Sequence, residues 1–332
     1  MHAAGRFNDV VTVDGCNIAD RDFVAILKAT LDFARRRNLS FRNKHTGEGY
    51  LRHLLVRKGK NTGQILADLV TTSQKEEDLG EFVKVIAGLE LDGELAGILH
   101  TTNDSPADAI INEKTQLLWG KDHFYDEVLG LRFKVTAFSF FQTNTRGAEL
   151  LYLKVREYVG DSHVKTLFDL YCGTGTITQI MSNASDRVYG IELVEEAVEA
   201  AKENARLNNI DNICFLAGDV GKVIDELGIV PDMFIVDPPR EGIRPKTLSE
   251  LLNYRVESFV YISCKISSLA SELGEIFSAG YVLERASCVN MFPRTNGVET
   301  VCLLSNRKPD SYVHLNLKME DYYRIKDAEK EQ

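Results

Sequence analysis

The chain has 332 residues, with 39 Lys+Arg against 49 Asp+Glu, a formal net charge of −10, 44% hydrophobic and 27% charged residues. That balance excludes a disordered, collagen-like or fibrous protein, and the length points to two domains whose cores need no disulfide or metal staple. No run of about 18 apolar residues occurs, and residues 1–10 lack a basic-then-apolar pattern, so neither a transmembrane helix nor a secretory signal is expected and the cytoplasm is the expected location.

Residues 20–37 predict an amphipathic helix. Phe23, Ile26, Leu27, Leu31 and Phe33 are its apolar positions, and Arg35, Arg36 and Arg37 sit in the last turn, where cations suit the helix dipole. Residues 50–56 and 64–71 predict strands around a turn at 58–63. Residues 82–89 read as a short helix, and 96–102, 116–119 and 129–137 as further strands. Residues 1–137 are therefore expected to form an α+β domain, with the helix at about 20–37 placed to pack on the second domain.

From about residue 148 strands alternate with helices. Helices are predicted at 149–159, 194–207, 248–252 and 269–277, and strands at 164–170, 187–193, 213–217, 233–236 and 258–263. The runs 281–289 and 298–304 have no helix between them and predict an antiparallel pair at a sheet edge. The fold class is α/β, with a doubly wound, mostly parallel sheet and a C-terminal antiparallel hairpin over residues 138–307. Residues 308–332 are polar and charged and are expected to be a loosely held tail.

Charge is unevenly distributed. Residues 1–62 hold 12 basic and 6 acidic residues, a surplus of +6, which leaves −16 for the rest. Such asymmetry accompanies polyanion partners, although by itself it favours a solvated helix face followed by a charged hairpin. The six cysteines (Cys16, Cys172, Cys214, Cys264, Cys288, Cys302) include no C-x-x-C pair. Scattered thiols fit a reducing compartment, and most read as small buried hydrophobes. None of His45, His53, His100, His123 and His163 reads as a metal ligand.

Five features carry chemistry. Phe168-Asp169-Leu170-Tyr171-Cys172-Gly173-Thr174-Gly175-Thr176 follows a predicted strand and opens a helix. Gly173 and Gly175 let the backbone turn tightly and approach a ligand. A dinucleotide fingerprint wants a third Gly where Thr178 stands, so a nucleoside cofactor without phosphates fits better. Glu192, nineteen residues after Gly173 at the end of the second strand, is placed to accept ribose hydroxyls. Asp219 follows the next strand and would lie near an adenine, or simply form a turn. Asp237-Pro238-Pro239-Arg240 follows an apolar strand, and the prolines fix an acid at the sheet's carboxyl edge. Cys264 ends another strand at that edge and Glu299 begins the last one; spacing alone does not bring them together.

Together these residues resemble the RNA (uracil-5-)-methyltransferase family. The resemblance covers most of the chain and is strongest over 140–306. It rests on five ordered blocks: Phe140-Phe141-Gln142-Thr143-Asn144, the 168–175 loop, Asp237-Pro238-Pro239-Arg240, Tyr261-Ile262-Ser263-Cys264, and Met291-Phe292-Pro293 followed by Val298-Glu299. It implies a class I Rossmann-like methyltransferase domain and S-adenosyl-L-methionine as cofactor. Gln142, Tyr171, Thr176, Glu192 and Asp219 would contact the cofactor, and Asp237 would lie between cofactor and uracil. Cys264 would be the nucleophile and Glu299 the proton acceptor. Uracil C5 is a poor nucleophile until a thiolate adds at C6, so the reaction needs one soft nucleophile and one base. A cation must favour the thiolate, and Lys265 and Arg240 are the candidates. The target base must be single-stranded or flipped out.

The partner implied is RNA, ribosomal rather than transfer RNA because the first domain looks nearer to the ribosomal branch. Arg42, Lys44, Arg52, Arg57, Lys58, Lys60 and Arg240 are the expected phosphate contacts, and salt-sensitive binding is expected. A monomer without a metal or iron–sulfur cluster is expected. Many relatives carry four cluster cysteines and an N-terminal oligonucleotide-binding barrel; here Cys16 alone precedes Cys172, and a trimmed or truncated chain lacking the barrel is expected. The usual Ser-Cys-Asn-Pro reads Ser263-Cys264-Lys265-Ile266, Ser271 stands where many relatives carry Arg, and Gly297 replaces a common His. The rival readings are an adenine or guanine N-methyltransferase, which needs no Cys, a DNA cytosine-5 methyltransferase, which places its Cys after Pro in an earlier loop, and an RNA-binding relic with a silent Cys264.

Overall fold

In the computed structural model, residues 2–3, 6–10, 15–107, 109–160, 164–295 and 297–306 are described; the expected tail at 308–332 and His163 lie outside them. Two short strands, β1 (His2–Ala3) and β2 (Arg6–Val10), pair antiparallel. Helix α1 (Arg21–Arg36) starts where Asp20 accepts the Asp22 N–H at 3.1 Å, the N-cap bond that satisfies an otherwise orphaned donor. Its buried Ile26, Phe33 and Ala34 pack with Phe82 and Ile86 of α2 (Gly80–Ala87). Both helices cover one face of a four-stranded sheet of β3 (Leu51–Lys58), β4 (Gln64–Thr71), β5 (Glu94–Thr102) and β6 (Lys114–Gly120), in that order.

The single strand expected at 129–137 is instead half of a hairpin, β7 (His123–Val128) and β8 (Leu131–Thr136). Leu129 and Gly130 both take positive φ, 50° and 82°. Two such residues build the tight turn whose twist matches antiparallel strands. Phe124, Val128, Phe133 and Val135 then join Leu66 and Leu99 of the first sheet and Leu151 and Val155 of α3 (Thr145–Val159) in one apolar cluster.

The second sheet contains β9 (Val164–Leu170), β10 (Ser185–Glu192), β11 (Ile213–Ala217), β12 (Met233–Val236), β13 (Ser258–Ser263), β14 (Val282–Phe292) and β15 (Gly297–Ser305). Between them run α4 (Thr176–Ile180), α5 (Glu195–Leu207), α6 (Val220–Leu227), α7 (Pro245–Asn253) and α8 (Ile266–Ser278). The order is β11-β10-β9-β12-β13-β15-β14, with five parallel strands and the last two antiparallel. This is the expected doubly wound α/β sheet with its terminal hairpin. Helix α6 escaped the sequence reading, and α3 begins one turn earlier than expected. The strand order reverses between β9 and β12, so their carboxyl ends open a crevice suited to a ligand. No helix among the described residues is long and apolar enough to cross a membrane.

Candidate active site

A cleft opens at that switch point, lined among others by Phe140, Gln142, Tyr152, Tyr171, Gly173, Thr176 and Asp237. After β9 the chain passes through Tyr171, Gly173 and Gly175 at φ 65°, 54° and 75°. A Cβ on Gly173 would meet nothing within 4 Å, so this glycine faces open space. On Gly175 it would lie 2.6 Å from the Phe215 ring. The first glycine therefore leaves room for a ligand, and the second allows α4 to pack.

Glu192, at the end of β10, is tied to this turn. One carboxylate oxygen accepts the Gly173 N–H at 3.0 Å and the other the Val194 N–H at 3.1 Å. Both oxygens keep a free lone pair for a ribose hydroxyl. Asp219 precedes α6 and pairs with Arg244. Burial pushes Asp219 up, but the Arg244 guanidinium outweighs it and holds the carboxyl below its usual range. Of the residues expected to contact the cofactor, Gln142, Tyr171, Gly173, Thr176 and Asp237 line the cleft, and Glu192 and Asp219 are not among its lining residues.

The segment carrying Phe140 to Gln142 has no regular structure and is held by side chains. Arg57 donates to the carbonyls of Thr136 (2.7 Å), Ala137 (3.3 Å), Ser139 (2.6 Å) and Phe141 (3.4 Å). Thr174 donates to the Phe140 carbonyl at 3.2 Å. Asn144 accepts the Gly147 N–H to cap α3 and donates to the Met291 carbonyl at 2.6 Å, which ties the first of the sequence blocks to the last.

The catalytic candidates lie along the neighbouring strand ends. The antiparallel pairing of β13 with β15 ends at Ser263 with Thr300. Cys264 and Glu299 are the next positions in that register. Asp237 follows β12, whose Val236 pairs with Tyr261 of β13. Burial pushes the Cys264 thiol up, Glu299 and Asp237 add to this, and Arg240 opposes it. Burial also raises Glu299, again opposed by Arg240. Asp237 is pushed up to about 8 by burial, then by Glu299 and Asp169. Of the two cations proposed from sequence, Arg240 therefore acts on the thiol; Lys265 is exposed and is not among the groups that shift it.

The departures at this edge have local reasons. Ser263 Oγ donates to the Lys265 carbonyl at 3.0 Å and accepts the Lys265 N–H at 3.2 Å, which closes the turn without a proline. A Cβ at Gly297 would lie 2.8 Å from the Phe292 ring, so any side chain there would require the ring to shift.

The basic residues of the first part are largely engaged within the fold. Arg52 donates to the carbonyls of Asn103, Ser105 and Ala107 at 2.6–2.7 Å. Arg57 is spent on the 136–141 segment, and burial lowers it to about 10. Lys58 bonds Asp20 at 3.0 Å and Asp22 at 2.6 Å. Arg42 reaches the Ser105 carbonyl at 3.5 Å. Lys44, Lys60 and Arg240 are exposed. Of the seven expected phosphate contacts, Arg52, Arg57 and Lys58 thus hold loops and a helix terminus within the fold.

Tyr152 was not singled out from sequence, where it reads as one more apolar position of a helix. It is buried on α3 and lines the cleft. Burial and the charges of Asp237, Asp169 and Glu299 all raise its phenol. Asp169 is itself fully buried, bonded by Thr178 Oγ1 at 2.5 Å, and pushed up to about 7 by burial. No cluster of three or more His, Cys, Asp or Glu that could hold a metal occurs among the described residues.

A methyltransferase-domain family matches residues 161–278. An uncharacterized RNA methyltransferase of Caldanaerobacter subterraneus subsp. tengcongensis is 47% identical over 304 residues, covering 92% of this chain and 68% of that protein. An uncharacterized RNA methyltransferase of Clostridium acetobutylicum is 48% identical over 307 residues, covering 92% and 67%. The chain thus spans about two thirds of the length of these relatives. Among solved structures, the Pyrococcus abyssi tRNA (uracil-54, C5)-methyltransferase in complex with S-adenosyl-L-homocysteine superposes with a TM-score of 0.68 at 26% identity, over 86% of this chain and 66% of that one.

Proposed function

The chain belongs to the RNA methyltransferase family, and on that footing we propose that it transfers a methyl group from S-adenosyl-L-methionine to C5 of a uridine in RNA. The observation that carries this reading is that the β13–β15 pairing ends at Ser263 with Thr300, so that Cys264 and Glu299 are the next positions on the two paired strands, and that Glu299 and the cleft-lining Asp237 both act on the Cys264 thiol. An N-methyltransferase has no use for a thiol and a base so placed. Residues 138–307 are read as the catalytic domain and 1–137 as the domain that contacts RNA.

S-Adenosyl-L-methionine, when bound, supplies an electrophilic methyl group. Glu192 would hold the ribose hydroxyls, and Gln142, Tyr171, Thr176 and Asp219 the remainder of the cofactor. The Cys264 thiolate adds to C6 of the flipped-out uracil, and the electron pair of the C5–C6 double bond moves into an enolate ending on O4. C5 would then accept that methyl group, with the electron pair of the broken S–CH3 bond remaining on the cofactor's sulfur. Glu299 removes the C5 proton, the C5–C6 double bond re-forms, and the thiolate leaves C6. Asp237, held largely protonated, can donate a hydrogen bond to the base, and Arg240 favours the thiolate. Lys60, Lys44 and Arg240 are the exposed cations for phosphate.

The target we propose is ribosomal RNA, in the cytoplasm, with the protein acting as a monomer. The Pyrococcus relative acts by its name on transfer RNA, and parallel assays with both RNA classes decide between them.

The test is RNA containing 5-fluorouridine. Fluorine cannot leave C5 as a cation in place of the proton, so with cofactor present the enzyme should be trapped as a covalent adduct through Cys264. An unmodified protein on substrate RNA, or an adduct that survives Cys264→Ala, would reject the mechanism.

A further inference from the structure

The turn that carries Asp237 and Arg240 is fastened to α8, the helix that begins two residues after Cys264. Ser268 Oγ donates to the Arg240 carbonyl at 2.7 Å. One carboxylate oxygen of Glu272 accepts the Ile243 N–H at 2.8 Å, and the other accepts the Tyr261 hydroxyl at 2.7 Å. Tyr261 is fully buried on β13, three residues before Cys264. Gly242, at φ 83°, runs so close to Glu272 that any Cβ would collide with its carboxylate. Glu272 therefore joins the arginine-bearing turn, the nucleophile's strand and the helix after it in one buried knot.

Resting on the reading above, we propose that Ser268 and Glu272 are positioning residues that fix the turn so that Arg240 acts on Cys264 and Glu299. An exposed arginine on a free turn would have many rotamers and a diluted effect on either group. The two bonds to α8 remove the backbone part of that freedom. They also take over the stiffening that a proline after Cys264 would give, since Ile266 stands there. The groups acting on Cys264 come from three places: Glu299 on β15, and Asp237 and Arg240 on the turn after β12, with Ser263 and Lys265 flanking it on its own turn. Asp237, which raises the thiol, is held separately by its N–H on the Leu170 carbonyl at 3.3 Å, so loosening the Arg240 end of the turn withdraws the one cation among the groups that shift Cys264 and moves the thiol upward.

The test uses the full chain without RNA or cofactor and reads alkylation of Cys264 by iodoacetamide against pH, quantified on its peptide by mass spectrometry so that the other cysteines do not interfere. Ser268→Ala and Glu272→Gln should move the midpoint upward, as Arg240→Ala does, and slow alkylation about two- to threefold at mildly alkaline pH. Adding Ser268→Ala to Arg240→Ala should produce no further shift, because the serine acts through the arginine. Midpoints equal to wild type in both α8 variants while Arg240→Ala shifts, or a double variant whose shift is the sum of the two, would overturn the proposal. Because alkylation needs neither substrate, a failure here is separate from a failure of the fluorouridine trap, which tests the methyl-transfer reading itself.

Discussion

Cys264 and Glu299 occupy consecutive ends of one antiparallel register, one step past Ser263 and Thr300, although 35 positions separate them in the chain. Cys264 lies just past the end of β13, and Glu299 lies on β15, the strand that pairs with it. The pairing ends at Ser263 with Thr300, so the two side chains emerge from neighbouring strand ends, and Glu299 is among the charges that act on the Cys264 thiol.

That register makes the role of Glu299 separable from that of Cys264. Glu299→Gln should still add the thiol and accept the methyl group but lose the proton abstraction that releases product. Turnover should fall by about 10²–10⁴-fold, and ordinary uridine RNA should accumulate as a covalent complex visible on a denaturing gel. Full turnover in this variant would remove Glu299 from the chemistry.

Arg57 offers a second check, because it carries four carbonyl bonds and no carboxylate. Arg57→Lys keeps the charge but loses the planar fork, leaving carbonyls of the 136–141 segment unpaired at about 1–3 kcal/mol each. The affinity for S-adenosyl-L-homocysteine, measured by calorimetry, should weaken by roughly tenfold or about 1.4 kcal/mol. An unchanged affinity would show that Phe140 to Gln142 do not depend on this anchor.

The lysines of the β3–β4 turn should divide by role. Lys60→Ala should weaken RNA binding and reduce the salt slope by about one, with no change in Tm. Lys58→Ala should lower Tm, because Asp22 is buried and loses its cation, while the salt slope stays the same. Filter binding at several salt concentrations and a thermal melt separate the two.

The buried acids set a stability profile. Asp169 and Asp237 titrate near 7 and 8, against 3.8 for an ordinary aspartate, and burial is the first cause in both. The folded state therefore binds more protons than the unfolded chain across that interval. The stability they contribute is full below about pH 4 and is lost as pH rises through 7–8. Tm of the free protein should fall on going from about pH 5 to about pH 9, and Asp237→Asn should flatten the fall. A Tm that climbs over that interval would contradict the assignment.

Much of the catalytic half was legible in the chain because its signals are local. Strand–helix alternation, the glycines after β9 and the acid ending β10 each express a short-range rule of backbone geometry. The hairpin of β7 and β8 was not, since Leu129 gives no warning that it will take a positive φ. The internal partners of the basic residues were not legible for a related reason. Composition counts charges, but whether Arg57 or Lys58 meets solvent depends on carbonyls and carboxylates tens of residues away.

By itself, then, the sequence determined the α/β class, the order of its elements and the residue types available for chemistry. Tertiary structure decided which of them meet. Register set Cys264 beside Glu299, strand order put Asp237 next to the cofactor cleft, and α8 drew in the turn bearing Arg240. Those are long-range contacts, fixed by which strand pairs with which and by what packs on the sheet, and no local spacing encodes them.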